Sequence, residues 1–175
     1  MKRTVSILAT ALAALATALV PSPTQAAGCG IRWGSLPKAD LTGSNGQVAD
    51  VRAGRHACFD RLVLDVAGDL DGYSVRYVAA VKHDGSGEVV PLRGGARLAV
   101  VATAPARPTD AFFLPNGELV DPAGYRTFRH VAWAGSFEGQ TSVGLGVRAR
   151  LPFRAVVLDG PGDRSRLVVD VAHRW

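Results

Sequence analysis

The chain is short of lysine and cysteine, and it lacks the pattern of an amphipathic helix. Only two of its 175 residues are cysteine, and only two lysines, Lys38 and Lys82, follow residue 26. Because the arginines are scattered singly, no concentrated basic stripe or recognisable module indicates nucleic-acid binding. No segment after residue 26 carries a capped apolar stripe with a period of 3.6, which disfavours a helical domain.

The histidines lack the spacing of a metal site such as H-x-H or H-E-x-x-H. They are His56, His83, His130 and His173. His56 and Cys58 lie close enough in sequence for a zinc site or a cysteine nucleophile, but in an exported domain Cys58 is expected to be oxidised. Residues 144–146 (Gly-Leu-Gly) lack the third glycine and the helix of a dinucleotide-binding loop. We therefore expect neither a metal nor a cofactor.

The first 26 residues have the layout of a secretory signal peptide. Residues 1–4 are cationic, residues 5–20 are apolar and uncharged, and residues 21–26 contain two helix-breaking prolines. The apolar stretch is shorter than the roughly 20 residues that span a bilayer, so we expect cleavage at Ala26 or Ala27 and no stable membrane insertion. Removal of this segment lowers the formal charge from +5 to +3 and leaves enough chain for one domain with a real core.

Both cysteines, Cys29 and Cys58, follow the predicted cleavage point. In an oxidising compartment an even pair indicates a disulfide, which in the chain-entropy model stabilises the fold by roughly 3–4 kcal/mol. The alternative is lipidation of Cys29, because residues 26–29 resemble a lipobox. However, Ala26 occupies the usual leucine position, and lipidation would leave Cys58 unpaired. We expect residues 27–47 to form an N-terminal segment tied by the disulfide to a domain at 48–175.

Alternation of apolar and polar residues dominates from residue 61 onward and predicts strands. The predicted strands are 61–67, 73–81, 97–103, 127–134, 141–151, 153–158 and 166–172. Glycine-rich turn signals fall between them. The fold class is therefore all-β, a compact β-sandwich or barrel-like single domain. Residues 104–124, rich in proline and polar residues, are expected to form a long surface connection.

One heptapeptide occurs twice. Residues 61–67 (RLVLDVA) and 166–172 (RLVVDVA) are identical at six of seven positions. Two explanations remain open: two similar strands that bury the same apolar face, or a pseudo-symmetric domain whose halves each contribute this strand. The spacing of the copies excludes a solenoid repeat.

The residues with the least ordinary pattern are Gly144, Gly146, Arg148 and Arg150, which share the polar face of the strand predicted at 141–151. Glycines inside a strand often mark a bulge or a close backbone approach. Beside two arginines they could form a flat cationic platform for a carboxylate-bearing partner. The alternative is a bulged strand with solvated arginines.

Two further features bear on function. Ser136, in Gly-Ser-Phe-Glu-Gly, misses the G-x-S-x-G nucleophile pattern by one position and lacks the following helix. A small hydrolase built from His130, Ser136 and a carboxylate is accordingly the weaker hypothesis. Trp33, Trp133 and Trp175 could stack on sugars, but in an all-β domain they more often belong to the core.

Residues 51–63, which include Phe59-Asp60-Arg61-Leu62-Val63 after a glycine and a histidine, resemble the AMIN-like domain of exported actinobacterial proteins. Residues 72–78 and 127–175 share the resemblance, which covers most of the chain from about residue 48. It implies a compact β-sandwich related to AMIN domains, which are envelope modules that bind peptidoglycan and position wall amidases or secretion-pore proteins. It supplies no catalytic residues.

The leading hypothesis is an exported, non-enzymatic domain of the cell envelope that binds peptidoglycan or another wall glycan or anionic wall polymer. A secreted protein-interaction or inhibitor module is the alternative, with residues 104–124 as its reactive loop.

Overall fold

The computed structural model describes residues 29–108, 112–114 and 117–175, so the predicted signal peptide lies outside the described residues. Within these ranges the chain forms eleven strands and no α-helix. The strands are β1 Lys38–Leu41, β2 Gln47–Arg55, β3 Phe59–Ala67, β4 Gly72–Val78, β5 Val81–Lys82, β6 Val89–Val90, β7 Ala96–Ala102, β8 Phe128–Phe137, β9 Gln140–Val147, β10 Phe153–Asp159 and β11 Arg164–Ala172. No helix of the described part has the length and apolar character needed to cross a membrane.

The strands form two antiparallel sheets that enclose one main core. One sheet has the order β1-β4-β7-β9-β8, the other has the order β10-β11-β3-β2, and β5 and β6 form a separate hairpin. Leu62 and Leu167 from one sheet and Leu98 and Leu145 from the other are fully buried in the same cluster. This arrangement follows from strand alternation, because each strand turns alternate apolar side chains toward the opposite sheet. The predicted all-β fold is confirmed.

The two copies of the heptapeptide lie side by side. β3 and β11 pair antiparallel in a register that sets Arg61 opposite Asp170 and Asp65 opposite Arg166. The apolar positions of both copies are fully buried: Leu62, Leu64, Val66, Leu167, Val169 and Val171. Antiparallel pairing of the same pattern therefore sets arginine opposite aspartate at both ends of the paired copies.

Two of the sequence boundaries were wrong. The alternation predicted to run from 73 to 81 breaks after Val78, and the strand predicted to reach residue 151 ends at Val147. The connection at 104–124 is not only superficial, because it contributes buried side chains to the core. Phe112 packs edge-on against Trp133 at 5.6 Å between ring centroids, and Leu119 donates its backbone N–H to Val131.

Candidate binding cleft at the disulfide end

The predicted disulfide is confirmed. Cys29 and Cys58 are bonded, with 5.6 Å between their Cα atoms. The bond ties the start of the described chain to the turn between β2 and β3. Behind it, the carbonyl of Gly34 accepts a hydrogen bond from the N–H of Phe153, and the guanidinium of Arg154 lies 4.7 Å from the ring centre of Trp33. The N-terminal segment is thus held against the edge of the four-stranded sheet.

Asp60 joins the two sheets at this end of the sandwich. Its side chain is 1% exposed, and its Oδ2 atom accepts hydrogen bonds from the backbone N–H groups of Thr127 and Phe128, where β8 begins. Its Oδ1 atom lies 3.1 Å from Nε2 of His173, just after β11. Every contact of this carboxylate is structural, because it fixes one strand start and one strand end.

The neighbouring Arg61 also has a structural role. Its Nε and Nη2 atoms donate to the two oxygens of Asp170 at 2.7 and 2.9 Å, and Nε of Arg154 donates to the same carboxylate at 2.8 Å. The hydrogen bond to Asp170 raises the pKa of Arg61, while partial burial acts in the opposite direction. Asp60 and Arg61 therefore both stabilise the fold through hydrogen bonds to other parts of the protein.

Above Asp60 lie two adjoining cavities of about 360 and 670 Å³, which share Ala57, Arg126 and His173. We call their combined volume the basic cleft. Its rim carries exposed guanidinium groups from four separate places in the chain: Arg55, Arg126, Arg148 and Arg174. Among the described residues that line it, Asp60 is the one acidic side chain.

The four arginines meet because four strand ends meet. Arg55 ends β2, Arg126 precedes β8, Arg148 follows β9 and Arg174 follows β11. In the registers, Phe128 is opposite Val147 and Phe59 is opposite Ala172, which brings these ends to one pole of the sandwich. Arginine supplies several N–H donors in a fixed planar fork, so this arrangement suits carboxylates and phosphates. Sequence reasoning missed three of the four because they share no local motif.

The two arginines of the predicted ligand surface, Arg148 and Arg150, lie in different surroundings. Arg148 lines the basic cleft, and its Nη2 atom donates to the carbonyl of His173 at 2.6 Å. Arg150 donates to Oγ and the carbonyl of Ser35, and its guanidinium lies 4.9 Å from the ring centre of Tyr77. The strand ends at Val147, so its alternation no longer holds the two arginines on one face.

Gly144 and Gly146 are buried under the chain that returns from the β5–β6 hairpin. A Cβ atom on Gly144 would lie 2.9 Å from Leu92, and one on Gly146 would lie 2.0 Å from the carbonyl oxygen of Arg93. The close backbone approach that these glycines indicate is therefore made by the protein itself. An open platform of the four residues does not form, since its glycine half is covered.

The weaker hydrolase hypothesis finds no geometric support. Oγ of Ser136 accepts a hydrogen bond from the N–H of Ala106 at 2.8 Å and lies 3.2 Å from the Thr141 hydroxyl. His130 stands six residues away on the same strand, which corresponds to about 20 Å in an extended chain. His130 and Ser136 therefore do not form a nucleophile–base pair.

The tryptophans and histidines have the following places. Trp133 packs against Phe112 and Phe113, whereas Trp175 is 72% exposed and donates its indole N–H to the carbonyl of Arg150. In the described ranges no three His, Cys, Asp or Glu side chains gather in a way that could hold a metal ion. Cys58, which was close enough in sequence to His56 to suggest a zinc site, is in the disulfide as expected.

Comparison with known protein families finds a match over most of the chain. The family model of the AMIN-like domain matches residues 46–173. No curated protein and no solved structure matches the chain.

Proposed function

We propose, starting from the fact that the chain belongs to the AMIN-like domain family, that it is an exported, non-enzymatic domain of the cell envelope that binds an acidic wall component in the basic cleft. The observation that carries the proposal is that four exposed arginines converge on the two cavities. Asp60 is the one acidic side chain among the described residues that line these cavities, and it already has its hydrogen bonds within the fold. Peptidoglycan stem peptides and anionic wall polymers both present the negative charge that such a cleft attracts.

Two observations support export. A disulfide persists in oxidising compartments, and residues 1–26 have the signal-peptide layout. A cysteine whose sulfur is bonded to Cys58 cannot also carry a thioether-linked lipid, so the mature chain should begin at Ala27 or Gly28 without lipid. Intact-mass analysis of the secreted protein tests this, and a diacylglyceryl adduct on Cys29 would contradict it.

The inhibitor alternative has less support. A reactive loop must present its side chains to a partner, whereas Ala104, Ala106 and Leu119 of the 104–124 connection are buried in the described structure. These described residues of the segment help to close the core.

Sedimentation of the mature protein with purified cell wall tests wall binding. Arg126→Gln with Arg148→Gln should reduce the bound fraction several-fold, and raising the salt should do the same to the wild type, because exposed charges are screened over about 8–10 Å. Arg76→Gln is the matched control, since Arg76 is exposed on β4 outside the cleft, and it should sediment like the wild type. Equal sedimentation of all variants would contradict the proposed site.

A further inference from the structure

We infer that the basic cleft recognises phosphate groups in preference to carboxylates, with His173 as a positioning residue at its floor. The inference rests on the proposed function and specifies the ligand class. His173 lines both cavities of the cleft, and its side chain is 10% exposed. Its Nδ1 atom is buried and has no hydrogen-bond partner among the described residues.

The charge of the cleft favours a multiply charged ligand. Four guanidinium groups stand against one carboxylate, and that carboxylate accepts two backbone N–H groups and faces His173. A single carboxylate offers two oxygens in one plane and one negative charge. A phosphate group offers acceptor oxygens in several directions, so arginines that approach from different strand ends can donate to it together.

His173 is held for this task by three neighbouring groups. Its Nε2 atom lies within hydrogen-bond distance of Oδ1 of Asp60. Its backbone carbonyl accepts a hydrogen bond from Arg148, and its backbone N–H donates to the carbonyl of Cys58. A buried polar atom without a partner is unfavourable and is rare in folded proteins. Of the polar atoms of His173, Nδ1 is the one without a partner in the described part of the fold, so it is available for a hydrogen bond with a bound phosphate.

The Nδ1 atom is closed to water in the structure. A phosphate therefore reaches it only after neighbouring groups of the cleft move. Arg126 is exposed and can turn toward the anion, and Arg148 can approach it from its hydrogen bond to the carbonyl of His173. Ligand binding and arginine reorientation are thus expected to occur together.

The test is a titration of the mature protein with inorganic phosphate, followed by NMR of the His173 ring, with acetate at matched ionic strength as the carboxylate probe. We expect saturating shifts with phosphate and a phosphate Kd at least about tenfold lower than the acetate Kd. Arg126→Gln or Arg148→Gln should raise the phosphate Kd about tenfold, and Arg76→Gln should leave it unchanged. His173→Gln should also weaken binding; if that variant does not fold, the exposed arginine variants still decide.

Saturation by acetate at the same concentration, or no shift with phosphate, would overturn the inference. Loss of wall sedimentation in the arginine variants without phosphate binding would retain the proposed function and reject phosphate. Phosphate binding by the wild type, with wall sedimentation unchanged in the arginine variants, would retain phosphate recognition and reject wall binding in the cleft. Parallel titrations with glycerol phosphate and dimethyl phosphate distinguish a small phosphomonoester from the phosphodiester backbone of a wall polymer.

Discussion

Replacing Asp170 by alanine should destabilise the protein by about 1.5–3 kcal/mol, the usual contribution of hydrogen bonds to a charged group, because the Arg61 and Arg154 side chains left behind are 26% and 41% exposed and can be hydrated. The Asp170 side chain is 0% exposed and accepts three hydrogen bonds, two from Arg61 and one from Arg154. Without it, two guanidinium groups lose their shared counterion in the middle of the four-stranded sheet. The loss should lower Tm by roughly 3–12 °C for a chain of this size.

The heptapeptide repeat supplies the matched control. Asp65 occupies in β3 the position that Asp170 occupies in β11, but it pairs with Arg52, and these side chains are 22% and 52% exposed. Exposed pairs of this kind contribute about 0–1 kcal/mol, so Asp65→Ala should have a small effect. Urea unfolding of both variants gives the comparison, with equal m-values required for a two-state reading. Losses of the same size would refute the argument that burial and double pairing make Asp170 critical.

Three further outcomes are expected. Gly146→Ala should destabilise the fold by about 1–3 kcal/mol in urea unfolding, because its Cβ would lie 2.0 Å from the Arg93 carbonyl oxygen. Gly54→Ala is the control and should be almost neutral, because its Cβ would lie 3.7 Å from the nearest atom, Nε2 of His56. Cys58→Ala should lower the free energy of unfolding by roughly 3–4 kcal/mol but leave the far-UV circular dichroism spectrum of a β protein. If the variant is as stable as the wild type under non-reducing conditions, the disulfide does not stabilise the fold. Burial, and to a smaller extent the charge of Arg93, lower the pKa of His130, although Glu118 acts in the opposite direction. The free energy of unfolding should therefore fall as the pH drops below the pKa of an unfolded histidine, near 6.5, because the unfolded chain then binds the proton more readily. His130→Gln should flatten this part of the curve of stability against pH.

Much of the fold could be predicted from alternation, because strands that bury one face must repeat apolar residues at every second position. β3, β7, β8, β10 and β11 all lie where that pattern predicted strands. β1 and β2 were missed for identifiable reasons. β1 is an edge strand with mostly exposed side chains, and β2 contains a register shift between Val48 and Asp50 that interrupts its alternation.

The 104–124 connection was predicted to lie on the surface, but some of its side chains are buried. Phe112 and Leu119 lie in the short apolar runs 111–114 and 119–120 among prolines and polar residues, and these runs show no periodicity that marks either residue as buried. They are buried because they cover an open part of the sandwich beside Trp133 and β8. Such burial depends on where the connection crosses the sheets, which local sequence does not encode.

The candidate site was the least accessible to sequence reasoning, for a reason that also separates fold from function in this domain. Asp60 and Arg61, the most recognisable part of the motif, make internal contacts that hold β8, His173 and Asp170 in place. The rim arginines stand outside any common motif, at four strand ends that only the sheet registers bring together. A family member that keeps the Asp-Arg pair but lacks arginines at the positions of Arg126 and Arg148 should therefore share the fold without sharing the ligand.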